Sequence, residues 1–244
     1  MDVQEATTCR LPDLKERHLP ENCREAVNTI LKETYGYEQF RNLEIYDDLS
    51  KGKEKLCISQ GQLIENVILE AEKAWKGETQ VDNILLTAPT GSGKSLLFQL
   101  PAIYLGKEYN LLTIVVSPLK ALIVDQVESL QELGYTRVAY ASSDLSPEQK
   151  MEVYRQVREG EIDLFYLSPE LLLSYDIKHF VGERRIGLVV VDEAHTVTTW
   201  GKEFRVDYWF LGRYLNTLKQ TLGYNFPLFA LTATAVWNPK GAMT

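Results

Sequence analysis

Two short runs carry residues able to handle a phosphate ester. Ala88-Pro89-Thr90-Gly91-Ser92-Gly93-Lys94-Ser95 follows the strand-like Asn83-Ile84-Leu85-Leu86-Thr87, and further along Leu188-Val189-Val190-Val191 delivers Asp192-Glu193-Ala194-His195. In the first, glycines let backbone N–H groups converge on phosphate oxygens, Lys94 supplies positive charge for the β- and γ-phosphates, and the Ser95 hydroxyl suits magnesium. In the second, Asp192 suits the same metal, directly or through water, and Glu193 can orient or deprotonate an attacking water. Each run also has a plainer reading, a turn for the glycines or a helix cap for the acids. Two such runs, each at the end of an apolar strand, point instead to one Mg2+-nucleotide site that binds and hydrolyses ATP.

The composition sets bounds on what surrounds that site. With 45% apolar and 25% charged residues over 244 positions, a folded globular chain with one sizeable core and an appendage is expected. No stretch nears the roughly 18 uncharged apolar residues of a membrane span. Met1-Asp2-Val3-Gln4-Glu5 is acidic where a secretory signal is basic. The expectation is an intracellular protein with no membrane partner. Cys9, Cys23 and Cys57 are odd in number and lack CxxC spacing, so neither a disulfide framework nor zinc is expected, and His18 and His179 have no ligand-like companions. The net charge of −8 lies mostly forward: residues 1–82 hold 11 Lys+Arg against 17 Asp+Glu, and the remainder 15 against 17. Such a balance argues against polyanion binding over the whole surface and leaves room for a local groove that touches a few phosphates.

From residue 83 onward, short Val/Ile/Leu-rich runs alternate with helical patterns, the signature of an α/β fold whose parallel sheet carries helices on both faces. Strands are expected near 83–88, 111–117, 137–141, 162–168, 187–192 and 227–232. Helices are expected over 94–105, 119–133, 146–159 and 208–222, with Ser146-Pro147 as a cap and first turn. Ligands of such sheets bind at the carboxyl ends of the strands. There Ala88–Ser95, Ser117-Pro118, Ser168-Pro169, Asp192-Glu193 and Thr232-Ala233-Thr234 would form one rim. Residues 1–82 read as a mainly helical N-terminal segment, with helices over 24–34 and 62–75 around a charged stretch, 47–55. Residues 83–237 form the nucleotide-binding lobe and 238–244 an unstructured tail.

With both nucleotide runs in place, the chain resembles a superfamily 2 helicase, and more narrowly the RecQ family, across roughly 27–237. Tyr35-Gly36-Tyr37-Glu38-Gln39-Phe40-Arg41 resembles that family's adenine-recognition motif, and residues 88–102 its motif I. Ser117-Pro118-Leu119-Lys120-Ala121-Leu122 through Asp125-Gln126-Val127 resembles motif Ia, Tyr166-Leu167-Ser168-Pro169-Glu170 motif Ib, and Ala230-Leu231-Thr232-Ala233-Thr234-Ala235 motif III. Trp200-Gly201-Lys202-Glu203-Phe204-Arg205-Val206-Asp207-Tyr208 resembles the RecQ aromatic-rich loop.

The resemblance implies a RecA-like P-loop NTPase lobe with a DEAH box. It would form the first motor lobe of an ATP-dependent 3′-to-5′ DNA helicase that uses ATP and Mg2+ and holds single-stranded or forked DNA. It further implies that Tyr37, Arg41 and a glutamine hold adenine, that His195 links the nucleotide site to motif III, and that Thr232 and Thr234 couple hydrolysis to movement. Ser117, Lys120 and Ser168 would touch the DNA backbone, and Trp200, Phe204, Arg205 and Tyr208 would stack bases and meet phosphate. By residue type alone, His195 also fits a packed polar residue, Thr232 and Thr234 plain strand ends, Ser117, Lys120 and Ser168 turns and caps, and the four-residue spacing of Trp200, Phe204 and Tyr208 the apolar stripe of a helix.

Some positions depart from the family pattern. Arg41 is followed by Asn42-Leu43-Glu44, where a glutamine belongs three residues on. Ionised Glu44 accepts hydrogen bonds only, whereas an amide accepts and donates at once, as adenine requires. Gln60 or Gln62 can take over if 45–59 is an insertion, and Gln62, at the opening of a helix, is preferred. Ala88 replaces a first glycine and Lys202 a frequent histidine, which bears on how strongly DNA stimulates hydrolysis. Ten residues follow Thr234, so a second RecA-like lobe with its arginine finger is expected as a partner within a longer chain. A DNA-stimulated translocase that does not unwind, and a noncatalytic nucleotide-binding interaction module, remain the alternative functions.

Overall fold

A computed structural model describes residues 19–46, 55–88, 91–174, 176–194 and 206–233. The front segment holds α1 (Glu25–Tyr35), an antiparallel hairpin of β1 (Asn42–Tyr46) and β2 (Lys55–Ser59), and α2 (Gln60–Trp75). α1 closes on Gly36, whose φ of 70° suits a residue without a Cβ. α2 opens on a capping box in which Ser59 and Gln62 satisfy each other's backbone N–H groups. The hairpin was not among the expected elements. Its two strands do alternate, in Asn42-Leu43-Glu44-Ile45-Tyr46 and Lys55-Leu56-Cys57-Ile58-Ser59, but each is only five residues long and the charged stretch between them masks the pattern.

The expected sheet is present. β3 (Ile84–Thr87), β4 (Leu112–Val116), β5 (Val138–Ala141), β6 (Leu164–Leu167), β7 (Ile186–Val191) and β8 (Leu228–Thr232) pair in parallel in the order β3-β8-β7-β4-β6-β5. The inner strands β4, β6 and β7 are buried at every residue, whereas the edge strands β3 and β5 are only partly so. A run buried on both faces must be apolar throughout, which is why these three were the plainest segments to read. The helices between the strands are α3 (Leu96–Tyr109), α4 (Lys120–Glu132), α5 (Pro147–Arg158), α6 (Pro169–Ser174), α7 (Lys178–Val181) and α8 (Val206–Leu222).

The pleat divides the strand side chains between two cores. Leu86, Val115, Tyr166, Leu188, Val190 and Leu231 pack with α1, α2, α3 and α4 on one face. Ile114, Phe165, Val189 and Val191 pack with α5, α6, α7 and α8 on the other. Helices of the front segment therefore share a core with the sheet, and α3, buried over most of its length, is wedged between them.

At the amino end of the sheet, a Cβ on Gly106 of α3 would lie 2.3 Å from Asp163 Cγ, and Asp163 is fully buried. Asp163 cannot step aside, because Arg137, Arg184 and Tyr135 hold both of its oxygens. Gly106→Ala is therefore expected to lower stability by about 2 kcal/mol, against the usual gain of an alanine in a helix. Urea denaturation checks it, and an unchanged midpoint would mean that Asp163 can move.

Candidate active site

β3, β8 and β7 are neighbours, so the residues that leave β3 and β7 emerge roughly 10 Å apart with the end of β8 between them. Backbone bonds tie the three exits together. Ala88 N–H donates to the Thr232 carbonyl at 3.0 Å, Ala194 N–H to the Leu231 carbonyl at 2.8 Å, and Asp192 N–H to the Val116 carbonyl at 2.9 Å. The first two bonds join the ends of β3, β8 and β7, and the third adds β4, so this part of the rim is assembled across four strands.

In the phosphate loop, Gly91 and Gly93 have φ of 81° and 77°, conformations that residues with a Cβ adopt only under strain. Gly93 also has no room for a side chain, since a Cβ there would lie 2.7 Å from Gln60 Nε2. Lys94 Nζ donates to the Ala88 carbonyl at 3.0 Å, which holds the ammonium across the loop. The Ser92 hydroxyl is buried with no hydrogen-bond partner, an unsatisfied polar group in a loop whose residue types suit phosphate. Ser95 precedes the first turn of α3, so the positive end of the helix dipole faces the same place.

Across β8, Asp192 is 5% exposed. Its Oδ1 accepts from Glu193 N–H at 2.9 Å and its Oδ2 from Gln126 Nε2 at 3.5 Å. Burial, and then the neighbouring Glu193 charge, push the Asp192 carboxyl above its ordinary pKa, while Lys94 pulls it back. A nearby cation therefore favours the ionised form. Glu193 itself has a φ of 50°, a left-handed conformation uncommon for glutamate, of the kind held at functional sites by surrounding structure.

A hydroxyl, one carboxylate and the oxygens of a phosphate are the hard oxygen donors that Mg2+ takes, so Ser95 and Asp192 fit that ion. Among the described residues, no group of three or more His, Cys, Asp or Glu could hold a metal by itself, so an ion here would need phosphate and water oxygens as well.

The two candidate glutamines hold different partners. Gln62 was the preferred base reader, but its Oε1 accepts the Ser59 N–H at 3.0 Å and is committed to the start of α2. Gln60 is the residue at the site: its Oε1 accepts from Arg41 N–H and its Nε2 donates to the Ser92 carbonyl, both at 3.1 Å. Gln60 is 2% exposed, and since an amide oxygen has two lone pairs and its nitrogen two hydrogens, one acceptor and one donor position lie beyond these two bonds. Tyr37 is 49% exposed and lies 6.3 Å from the Tyr35 ring, nearly parallel to it, and Arg41 is exposed. The signal that could have found Gln60 was the hairpin, because its pairing returns the chain from Arg41 to Gln60.

The residues expected at DNA divide. Lys120 is exposed at the start of α4 and ion-paired with Asp144. Ser117 is buried, its hydroxyl without a partner, so in this conformation it offers nothing at the surface. Ser168 Oγ accepts from Leu171 N–H at 3.3 Å, the turn-capping role open to it by residue type. Tyr208 lies in the first turn of α8, so the end of the expected aromatic loop is helical. Thr232 is buried at the end of β8 with its carbonyl on Ala88. Pro89, Thr90, His195, Trp200, Phe204, Arg205, Thr234 and the expected tail lie outside the described residues.

The comparisons with known proteins concern the family and the fold. The DEAD/DEAH box helicase family matches residues 64–240. The ATP-dependent DNA helicase RecQ of Synechocystis is 34% identical over 217 residues, covering 87% of this chain and 38% of that protein. The protein of the same name from Haemophilus influenzae is 31% identical, covering 85% and 28%. The chain thus spans well under half the length of these curated relatives. Among solved structures, the DUF1998 helicase MrfA bound to DNA and AMPPNP superposes with a TM-score of 0.56 at 21% identity, covering 92% of this chain and 28% of that one. The Pyrococcus furiosus Hef helicase domain superposes with a TM-score of 0.51, also at 21% identity, covering 72% and 33%. These two likenesses concern the fold. With the matched family spanning most of the sequence, including the end of β7 and its two acids, the chain belongs to the DEAD/DEAH box helicase family, and its relatives include RecQ helicases.

Proposed function

We propose that this chain is the first motor lobe of an ATP-dependent 3′-to-5′ DNA helicase, binding Mg2+-ATP at the rim of β3, β8 and β7 and single-stranded DNA along the rim beside it. The observation that carries the reading is the joining of the phosphate loop and the Asp192-Glu193 pair through the end of β8. Lys94 would leave the Ala88 carbonyl for the β- and γ-phosphates, where a charged donor gains more than on a neutral carbonyl. The Ser92 hydroxyl would find its acceptor there. Bound between Ser95 and Asp192, Mg2+ would neutralise charge on the phosphates. Glu193 would accept the proton of the attacking water, and its left-handed backbone limits where its carboxylate can point.

Gln60 would read adenine with its remaining donor and acceptor, Tyr37 would stack on the base, and Lys120 would exchange Asp144 for a DNA phosphate. A second RecA-like lobe would complete the cleft. The same reading puts the protein with DNA, in the cytoplasm or nucleoid, or in the nucleus of a eukaryote.

Gln60→Ala is expected to lower the preference for ATP over GTP about tenfold, the equivalent of about 1.4 kcal/mol. Gln62→Ala should instead cost about 1 kcal/mol of stability through the lost cap and leave the preference unchanged. Competition binding with the two nucleotides distinguishes them. The whole reading is tested by strand displacement with the full-length protein on forked DNA. ATP-dependent unwinding from a 3′ tail is expected; ATP turnover stimulated by single-stranded DNA with no displacement would make it a translocase.

A further inference from the structure

A line of four side-chain hydrogen bonds crosses the apolar core between the adenine-side segment and Asp192. Tyr35 OH donates to Gln99 Oε1 at 2.9 Å, Gln99 Nε2 to Tyr166 OH at 3.2 Å, Tyr166 OH to Gln126 Oε1 at 3.0 Å, and Gln126 Nε2 to Asp192 Oδ2 at 3.5 Å. Gln99 belongs to α3, Tyr166 to β6 and Gln126 to α4, so three separate elements contribute. Tyr166 is fully buried and Gln99 is 5% exposed. Apolar residues of similar volume would pack these positions without the cost of burying polar groups.

The direction of the line follows from its end. An ionised carboxylate only accepts, so Gln126 must turn its amide nitrogen to Asp192 and its oxygen to Tyr166. Tyr166 then spends its proton on Gln126 and can only accept from Gln99. Gln99 in turn presents its nitrogen to Tyr166 and its oxygen to Tyr35. Every donor points toward Asp192, an arrangement in which successive bonds polarise one another. The last link is the longest of the four, and therefore the one with most to gain by tightening.

We propose that Gln126, fixed by Tyr166 and Gln99, is a positioning residue for Asp192: it sets the rotation of the carboxylate that would hold the metal of the nucleotide complex. The inference rests on the nucleotide-binding reading above. Glu193 N–H meets Oδ1 at 2.9 Å and Gln126 Nε2 approaches Oδ2 at 3.5 Å, so each oxygen of the carboxylate has a donor that directs its remaining lone pairs. Gln126 also shares α4 with Lys120, which ties the same carboxylate to the helix that begins at the DNA side of the rim.

The test is the Mn2+ affinity of this chain's complex with a nonhydrolysable ATP analogue, followed by electron paramagnetic resonance of free Mn2+, for the parent, Tyr166→Phe, Gln126→Leu and the double variant. Outer partners of metal ligands typically contribute 10–100-fold, so each single variant is expected to bind Mn2+ about tenfold more weakly. Affinity for the analogue in EDTA should stay within about twofold, and the double variant should be no weaker than Gln126→Leu alone, because both changes break one line. Tyr166→Phe keeps the ring and the packing, so it carries the test if Gln126→Leu fails to fold. Lower melting temperatures with unchanged Mn2+ affinity, or additive losses in the double variant, would overturn the positioning role alone. A parent chain that binds no Mn2+-nucleotide would overturn the nucleotide site as well.

Discussion

Glu193→Gln is expected to lower DNA-stimulated ATP turnover by a factor of about 10³ and to leave nucleotide affinity within about twofold. The amide keeps the size and shape of the side chain and loses only the ability to take a proton. The backbone supports the same expectation. Glu193 sits at a φ of 50°, its N–H is given to Asp192 Oδ1, and Ala194 next to it is tied to β8, so the substitution should leave the chain path intact. Affinity should survive because Lys94, the loop N–H groups and Gln60 are untouched. Phosphate release by the full-length protein, with and without single-stranded DNA, checks it. Turnover unchanged by the substitution would remove Glu193 as the base and favour a nucleotide-binding module without hydrolysis.

Asp163→Ala is expected to cost about 3–5 kcal/mol of stability, the loss typical when one member of a buried ion pair is removed. Asp163 is fully buried just before β6, Arg184 is 7% exposed, and Arg184 Nη2 meets Asp163 Oδ1 at 2.8 Å. Arg184 also donates to the carbonyls of Ile162, Val157, Asn110 and Leu111, so one guanidinium joins the starts of β4 and β6 to the end of α5. Burial lowers the Arg184 pKa, while the Asp163 charge beside it opposes that shift. Removing Asp163 leaves the cation buried with carbonyl dipoles alone. A loss of that size is a large fraction of the 5–15 kcal/mol typical of a folded domain. This cluster lies at the amino ends of the strands, opposite the nucleotide rim, so the folded fraction should keep its nucleotide affinity. Urea denaturation measures the loss, and a change below about 1 kcal/mol would show that the carbonyls suffice for Arg184.

Why some of this was legible in the sequence and some was not follows from how each feature is encoded. β4, β6 and β7 are short runs buried on both faces, so composition alone reveals them, and the phosphate loop and the acid pair are local patterns at strand ends. The hairpin of β1 and β2 is encoded by weak alternation on either side of a charged stretch, and only pairing across that stretch makes it a structure. Its consequence, Gln60 beside Arg41 and Ser92, is a long-range contact that no residue spacing announces, and this is why Gln62 looked the better choice. α6 and α7, with six and four residues, are too short for periodicity to register. Arg184 reads like a surface residue next to Arg185, and its burial depends on Asp163 arriving from the segment before β6. The line from Tyr35 to Asp192 is built the same way, from amides and a tyrosine that look unremarkable one at a time.

Lys94, Ser95, Asp192 and Glu193 are expected to surround one nucleotide. A crystal structure of this chain with Mg2+ and a nonhydrolysable ATP analogue tests it most directly. The terminal phosphates are expected at the Lys94 ammonium and the Ser92 hydroxyl, the ion between Ser95 and Asp192, Glu193 facing the γ-phosphate, and the base at Gln60 and Tyr37. Phosphates bound away from Lys94, or an ion held without Asp192, would contradict it.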